Sequence, residues 1–200
     1  MTLLYVATED ALSESVVDCL VMKVNHDFLI SVRLGRRGNS YLRAKLPELI
    51  KLARNIPVLL LTDLDMIECP STLISNWSGG NELPNDLLFR VAVREIESWL
   101  LADRNGFSDF FDVPLSQLPP NPENIDDPKQ LLLKLVRRYS NREIKAAILP
   151  ERGVRSKIGF GYNQMLGRFV EEQWSIDRAM TNSESLAKAY QRLNELHART

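Results

Sequence analysis

Residues 56–66 read IPVLLLTDLDM, an apolar run that stops at two carboxylates one residue apart. The four apolar residues at 58–61 predict a strand buried on both faces, as in a parallel sheet covered by helices. Alternate side chains of an extended chain share a face, so Asp63 and Asp65 project together at the end of this strand. The pair could form a turn, cap a helix or supply half of a metal site, and each interpretation leads to a different function.

Strands and helices alternate through the first half of the chain. The apolar patterns predict strand 2–7, helix 10–24, strand 28–34, helix 41–54, strand 57–62, helix 71–77, strand 87–93 and helix 94–103. Pro47 must kink the second helix or mark its late start. This alternation predicts an α/β fold: a mostly parallel four-stranded sheet flanked by helices, with right-handed crossovers.

The second half of the chain changes character. The stretch 114–129 holds five of the ten prolines and predicts an irregular connection. Helical periodicity returns at 128–139, 141–148, 162–174 and 183–197. We therefore expect an α/β domain over 1–104, an irregular connection over 105–127, and a C-terminal helical extension over 128–200 that packs on the core.

Composition narrows the class of protein. The 200-residue chain has a formal net charge of −1, which argues against a uniformly basic nucleic-acid coat. No apolar stretch approaches the ~20 residues of a membrane span, and no charged start with an apolar region suggests secretion. Cys19 and Cys69, with only two histidines, cannot form a zinc site alone and are typical of reduced thiols. We expect a cytoplasmic protein that has no membrane partner.

Acidic residues follow three of the predicted strands at their carboxyl ends, where α/β sheets bind ligands. Glu9 follows the first strand, Asp63 and Asp65 follow the third, and Glu95 and Glu97 follow the fourth. Residues that are two apart on a helix point to different faces, so only one of Glu95 and Glu97 would face a shared site. We favour Glu97. If the acids converge, unit charges ~4 Å apart repel by roughly 4 kcal/mol, which implies a cation. Oxygen ligands suit Mg²⁺ or Mn²⁺.

Each acid also has a purely structural interpretation. Asp10 or Asp65 could cap the helix that follows it. Glu95 or Glu97 could be ordinary first-turn acids, which favour a helix N-terminus. An Asp-x-Asp pair alone does not decide, because it also occurs in phosphatases, sugar transferases and turns.

The order of these acids resembles the Toprim domain shared by topoisomerases, primases and overcoming-lysogenization-defect nucleases. Glu9 matches the first Toprim acid, and Asp63 and Asp65 match the Asp-x-Asp metal pair. Nearly the whole chain is similar to a Toprim-like family near the RloB-like group, in the segments VATED, LGRRGNSYLRAKLPELI, PVLLLTDLD, RVAVREIESWLLADRNGF, DDPKQLLLKL, GFGYNQMLGRFVEEQW and SLAKAYQRL. One departure is that the usual Toprim pattern has a glycine-containing turn before its glutamate, whereas VATED has none.

The resemblance implies a Toprim-like fold and metal-dependent nuclease chemistry. Glu9, Asp63 and Asp65 would be catalytic acids and metal ligands, and Glu97 would support the metal site. The implied cofactor is Mg²⁺ or Mn²⁺. The implied partners are DNA or RNA and an ABC-type ATPase encoded nearby in a phage-defence system. The expected function is therefore Mg²⁺-dependent phosphodiester hydrolysis of nucleic acid, as the effector of that system.

Two basic segments could hold a nucleic acid. Arg36 and Arg37 lie in the glycine-containing loop after the second strand, where guanidinium and backbone N–H groups suit phosphate. The second segment contributes Arg152, Arg155 and Lys157, followed by two aromatic residues on which bases could stack, Phe160 and Tyr162. The alternatives are a solvated basic loop for the first segment and core packing of the aromatic rings for the second.

Two other functions compete with a nuclease. A haloacid-dehalogenase-type phosphatase also uses Asp-x-Asp, with the first Asp as nucleophile, but places the motif on its first strand and not on its third. A non-catalytic sensor or regulatory partner of an ATPase could keep the acids as a vestigial metal site. Convergence of Glu9, Asp63 and Asp65 at metal-coordinating distance would favour the nuclease, and separated acids would favour the sensor.

Overall fold

The computed structural model describes residues 2–24, 28–151 and 153–199. Its internal contacts divide the chain into two compact units. The first unit comprises Met1–Val93 with Ala187–Thr200, and the second comprises Arg94–Leu186. None of the helices in the described ranges is both long enough and apolar enough to cross a bilayer.

The first unit is built on a four-stranded parallel sheet. Its elements are β1 (Thr2–Thr8), α1 (Ala11–Val24), β2 (Phe28–Gly35), α2 (Asn39–Leu52), β3 (Val58–Asp63), α3 (Pro70–Ser78) and β4 (Leu87–Ala92). The strand order is β2-β1-β3-β4, so β1 and β3 lie side by side in the middle. The predicted α/β fold is confirmed, and the layout of the sheet and its helices is consistent with a Toprim-like domain.

Burial explains why the central strand β3 is a continuous apolar run. Val58 and Leu60 point to one face of the sheet and belong to a cluster of buried side chains that includes residues of α2 and α3. Leu59 and Leu61 point to the opposite face and are buried as well. Both faces of β3 are therefore withdrawn from water, which is the situation that selects apolar residues at every position.

Pro47 lies inside α2 rather than at its start. The helix begins at Asn39 and continues through the proline to Leu52. Leu42, Leu46 and Leu49 are buried on either side of Pro47. An interior proline destabilises a helix by ~3 kcal/mol, and burial of three leucines at ~1.5–3 kcal/mol each outweighs that penalty.

The second unit is helical. Its elements are α4 (Ile96–Ala102), α5 (Arg104–Phe111), two short 3₁₀ turns (Leu115–Gln117 and Pro122–Asn124), α6 (Pro128–Tyr139), α7 (Arg142–Ile148), α8 (Tyr162–Glu172), α9 (Ile176–Met180) and the first three residues of α10 (Glu184–Arg199). The last helix continues into the first unit. Phe107, Phe111 and Phe169 are fully buried and pack with their rings tilted or edge-on to one another.

One buried carboxylate links several elements of the second unit. Asp103 is 0% exposed and accepts hydrogen bonds from the backbone N–H groups of Gly106 at 3.1 Å and Ser175 at 2.7 Å. The Arg178 guanidinium donates to both of its oxygens, at 2.6 and 2.7 Å. These donors replace the water that burial removes from the charge.

The division of the chain differs from the one expected from the sequence. It falls between Val93 and Arg94 rather than within 105–127, and most of α10, from Ala187 onward, belongs to the first unit. Long-range packing decides this division, whereas the expectation followed the distribution of prolines along the chain.

Several helix boundaries also differ from prediction, and the structure gives the reason for two of them. The helix expected over 94–103 begins at Ile96, because Arg94 adopts a left-handed φ of 63°. Residues 105–111, expected to be irregular, lie in α5, whose N-terminus is capped by the Asp103 side chain.

Candidate metal centre at the carboxyl edge of the sheet

The register of β1 and β3 brings Glu9 to the end of β3. Thr8 pairs with Leu61 across these neighbouring parallel strands, so Glu9 and Thr62 follow at the same edge. The Glu9 oxygen Oε1 accepts a hydrogen bond from the Thr62 hydroxyl and another from the Asp63 backbone N–H, at 2.9 Å. Thr62 is only 1% exposed, so its hydroxyl is sheltered from water. The fold thus places the Glu9 carboxylate directly against the backbone of Asp63, the first of the two aspartates.

The environment of Glu9 disfavours its charged form. Burial raises the pKa of the Glu9 carboxyl, and the hydrogen bonds from Thr62 and Asp63 lower it in part. The negative charges of Asp65 and Asp10 raise the pKa further. Glu9 therefore lies within electrostatic reach of two other acids, of which Asp65 is exposed to solvent.

Asp65 is held by a residue that the sequence did not single out. It adopts a left-handed φ of 51° two residues beyond β3, and its Oδ2 accepts a hydrogen bond from Asn39 Nδ2 at 3.0 Å. Asn39 is the first residue of α2, which follows the loop after β2. Its position in the segment that follows β2, a strand adjacent to β1, is the signal that could have identified it.

The loop after β2 is fixed to the backbone that carries Glu9. The N–H of Arg36 donates to Thr8 O at 3.1 Å, and the N–H of Gly38 donates to Glu9 O at 3.0 Å. Gly35 has a φ of 135°, and a Cβ there would lie 1.8 Å from Thr8 O. Only glycine permits this approach, so Gly35 helps to set the position of the Glu9 backbone.

One of the structural alternatives applies to Asp10. Its Oδ1 accepts a hydrogen bond from Ser13 N at 2.8 Å at the start of α1, which is the geometry of a helix cap. Asp65 does not cap the next helix, because α3 begins at Pro70 with Cys69 in the capping position.

The two arginines of the β2 loop have different surroundings. The Arg36 guanidinium donates to both carboxylate oxygens of Glu14, at 2.8 and 3.1 Å. This pair largely neutralises its charge, although the Arg36 side chain is 62% exposed. The Arg37 guanidinium instead lies over the Tyr41 ring, 5.1 Å from its centroid. Of the two residues, Arg37 has the more available charge for a phosphate.

Glu97 lies in the second unit and is 1% exposed. Its Oε1 accepts a hydrogen bond from the Tyr162 hydroxyl at 2.8 Å and pairs with Lys129 Nζ at 3.1 Å. Its Oε2 is buried and has no hydrogen-bond partner in the described part of the chain. Neighbouring Glu95 accepts from Lys129 N at 3.0 Å, and burial followed by the charge of Glu97 raises the pKa of its carboxyl. The supporting metal role of Glu97 stays a prediction.

The second basic segment is exposed. Arg155 and Lys157 both face solvent, whereas Arg152 lies outside the described residues. The two aromatic residues separate: the Phe160 ring is fully exposed and Tyr162 is buried. Core packing therefore accounts for Tyr162 but not for Phe160.

Three carboxylates at the sheet edge supply only oxygen donors, the chemistry that suits Mg²⁺ or Mn²⁺. Within residues 2–24, 28–151 and 153–199, no group of three or more His, Cys, Asp or Glu side chains is spaced to hold a metal ion. Mg²⁺ is commonly bound through one or two carboxylates together with water and substrate phosphate. The oxygen donors of Glu9, Asp63 and Asp65 are of the chemical kind that this mode of binding uses, but these residues do not form a complete cage by themselves.

Comparisons with models of protein families, with curated proteins and with solved structures found no match to this chain. A functional assignment therefore depends on the topology of the sheet and on the residues gathered at its carboxyl edge.

Proposed function

We propose that this protein is a Mg²⁺-dependent nuclease that hydrolyses phosphodiesters of DNA or RNA. The proposal depends on one observation at the carboxyl edge of β1 and β3. There Glu9 accepts a hydrogen bond from the backbone of Asp63, and the charge of Asp65 raises the pKa of the Glu9 carboxyl. Parallel α/β sheets bind their ligands at this edge. Acids held within electrostatic reach of one another are an arrangement that a divalent cation would stabilise.

The residues of the site divide the work. Asp63, Asp65 and Glu9 would hold the cation, while the Thr62 hydroxyl orients Glu9 and the Asn39 amide orients Asp65. A Mg²⁺ ion held there would supply the chemistry: it would polarise a phosphoryl oxygen and lower the pKa of an attacking water. The chain itself orients the Glu9 and Asp65 carboxylates before substrate arrives, because donors from β3 hold Glu9 and the first residue of α2 holds Asp65.

Substrate phosphates need cationic partners near this edge of the sheet. We assign Arg37 to this task, because its guanidinium lies over the Tyr41 ring and is not paired with a carboxylate among the described residues. Arg36 acts mainly as a brace, since its bidentate pair with Glu14 ties the β2 loop to α1.

We further propose that an ABC-type ATPase controls the nuclease as part of a phage-defence system. The support for this partner is the family resemblance of the sequence. An effector of this kind would stay silent alone and cut only when the ATPase engages it.

The second candidate function is a non-catalytic sensor or regulatory subunit. Two observations favour it: one Glu9 oxygen already accepts two protein hydrogen bonds, and the described acids do not form a three-membered metal-binding group. In this case Glu9 would brace the ends of β1 and β3, and the aspartates would be vestigial.

A cleavage assay distinguishes the two functions. Plasmid, single-stranded DNA and tRNA would be incubated with the purified protein and Mg²⁺ or Mn²⁺, with and without the neighbouring ATPase. The Asp63→Ala/Asp65→Ala double variant is compared with Glu82→Ala, which removes an exposed acid elsewhere in the first unit.

We expect cutting that EDTA abolishes, that the double variant lacks and that Glu82→Ala retains. Cutting that persists in the double variant would refute the proposed site. No cutting by either preparation, with or without the ATPase, would favour the non-catalytic function.

A further inference from the structure

An exposed loop of the second unit carries an aromatic ring between two anchored glycines. We refer to residues 153–161, GVRSKIGFG, as the basic-aromatic loop. Phe160 near its end is fully exposed, and Val154 near its start is exposed as well. Such a ring gains no stability from the fold, so a role outside the fold would account for it.

The backbone on both sides of Phe160 is fixed. Gly159 donates its N–H to Ile148 O at 2.8 Å, and a Cβ at residue 159 would lie 2.4 Å from Ala147 O. Gly161 packs less tightly against the same residue, with a Cβ there 3.1 Å from that of Ala147. The chain therefore touches the end of α7 immediately before and after Phe160. The backbone that carries Phe160 therefore loses little conformational freedom on binding.

Further hydrogen bonds lie within the loop and just beyond it. Ser156 Oγ donates to Ile158 O at 2.7 Å and accepts from Ile158 N at 3.2 Å. Tyr162, just beyond the loop, is anchored in the interior by its hydroxyl on Glu97. The exposed ring thus belongs to a constrained turn.

The charge of the loop has one sign. Arg155 and Lys157 are exposed, and neither forms an ion pair with a residue that the structure describes. No Asp or Glu occurs from 153 to 164. Two available cations and a presented aromatic ring complement a strand of phosphates and unpaired bases.

We propose that the basic-aromatic loop binds single-stranded nucleic acid, with one base stacked on Phe160 and phosphates at Arg155 and Lys157. The inference rests on the proposed function in taking nucleic acid as the substrate, and it deepens that function by naming the strandedness. In a duplex the faces of the bases are covered by their neighbours, so a protruding ring finds a partner only where bases are unpaired.

Fluorescence anisotropy in EDTA measures binding without cleavage. The probes are labelled single-stranded DNA and RNA of about 20 nucleotides and a duplex of the same length. Phe160→Ala should weaken single-strand binding about 10-fold, equal to ~1.4 kcal/mol, and Phe160→Trp should restore it. Met22→Ala, which removes an exposed apolar side chain elsewhere, should bind as the wild type does.

The cations have their own signature. Arg155→Ala/Lys157→Ala should reduce the slope of log affinity against log salt by about 1.4, because each phosphate contact on a single strand contributes ~0.7. Phe160→Ala should leave that slope unchanged, since stacking releases no counterion.

The results separate this inference from the nuclease proposal. Binding that depends on Phe160 in a protein that never cuts would uphold the loop and refute the nuclease. Suppose instead that the wild-type protein cuts and that Phe160→Ala binds single strands with an affinity within about 2-fold of wild type. That result would overturn the loop inference and leave the nuclease proposal intact. Equal loss of duplex binding would also overturn it, as would a Phe160→Ala variant that loses only a protein partner.

Discussion

Replacing Thr62 by valine tests the candidate site with the least change in shape. Valine keeps the volume of threonine and removes the hydroxyl that donates to Glu9 Oε1. A hydrogen bond to a charged group contributes ~1.5–3 kcal/mol, and the Asp63 N–H still reaches the same oxygen in the variant. We therefore expect the free energy of unfolding at neutral pH to fall by about 1.5 kcal/mol, the lower end of that range.

This loss should depend on pH in a defined direction. Because the pKa of Glu9 in the fold is raised above its ordinary value, its ionisation destabilises the protein as pH rises through the folded pKa. The Thr62 hydrogen bond lowers that pKa, so removing the hydroxyl raises it further. The stability difference between wild type and Thr62→Val is therefore smallest below the ordinary carboxyl pKa. It grows as pH rises through the two folded values.

Urea unfolding followed by circular dichroism, at neutral pH and near pH 4, measures both effects. Thr62→Ser is the matched control, because it keeps the hydroxyl and should lose ~1 kcal/mol at either pH for the missing methyl. The role given to this hydrogen bond would be refuted if Thr62→Val were as stable as wild type at neutral pH. It would also be refuted if the variant were destabilised equally at both pH values. If Glu9 is a metal ligand, calorimetric titration should also show Mg²⁺ affinity about 10–100-fold weaker in Thr62→Val.

Three further predictions concern other parts of the molecule. Asp103→Asn should lower the free energy of unfolding by about 3 kcal/mol. The asparagine NH₂ group cannot accept the hydrogen bonds that a buried carboxylate oxygen now accepts, and the Arg178 charge would lose its partner. A loss below ~1 kcal/mol in urea would contradict this. Hydrogen bonds with neighbouring hydroxyls lower the pKa of Cys69 to about 7, so its alkylation should rise with a midpoint near that pH. Mass spectrometry should show slower modification of Cys19, whose pKa is raised by burial, and equal rates would count against the assignment. Gly35→Ala should destabilise the fold by at least ~1 kcal/mol more than Gly80→Ala, since both have positive φ but only Gly35 faces a backbone oxygen. Equal thermal unfolding of these two variants would argue against that close approach.

Much of the sheet was predictable because burial imposes a pattern on residues that are neighbours in the chain. The run at 58–61 located β3 within a residue, and the alternation of strands and helices predicted a parallel sheet. The acids at its edge follow from the same pattern, since Glu9 and Asp63 occur where apolar runs stop. The short helix α5 escaped prediction because its capping residue, Asp103, is itself held in place by distant Arg178.

The sequence by itself determined the class of fold and the positions of the candidate acids. Only the tertiary structure decided what holds those acids, because their donors are distant in the chain: Thr62 lies 53 residues from Glu9, and Asn39 lies 26 residues from Asp65. Apolar periodicity predicts which face of an element is buried, but it does not predict which polar side chain of another element will lie next to a given acid. That choice follows from strand order and register, which exist only once the sheet has assembled.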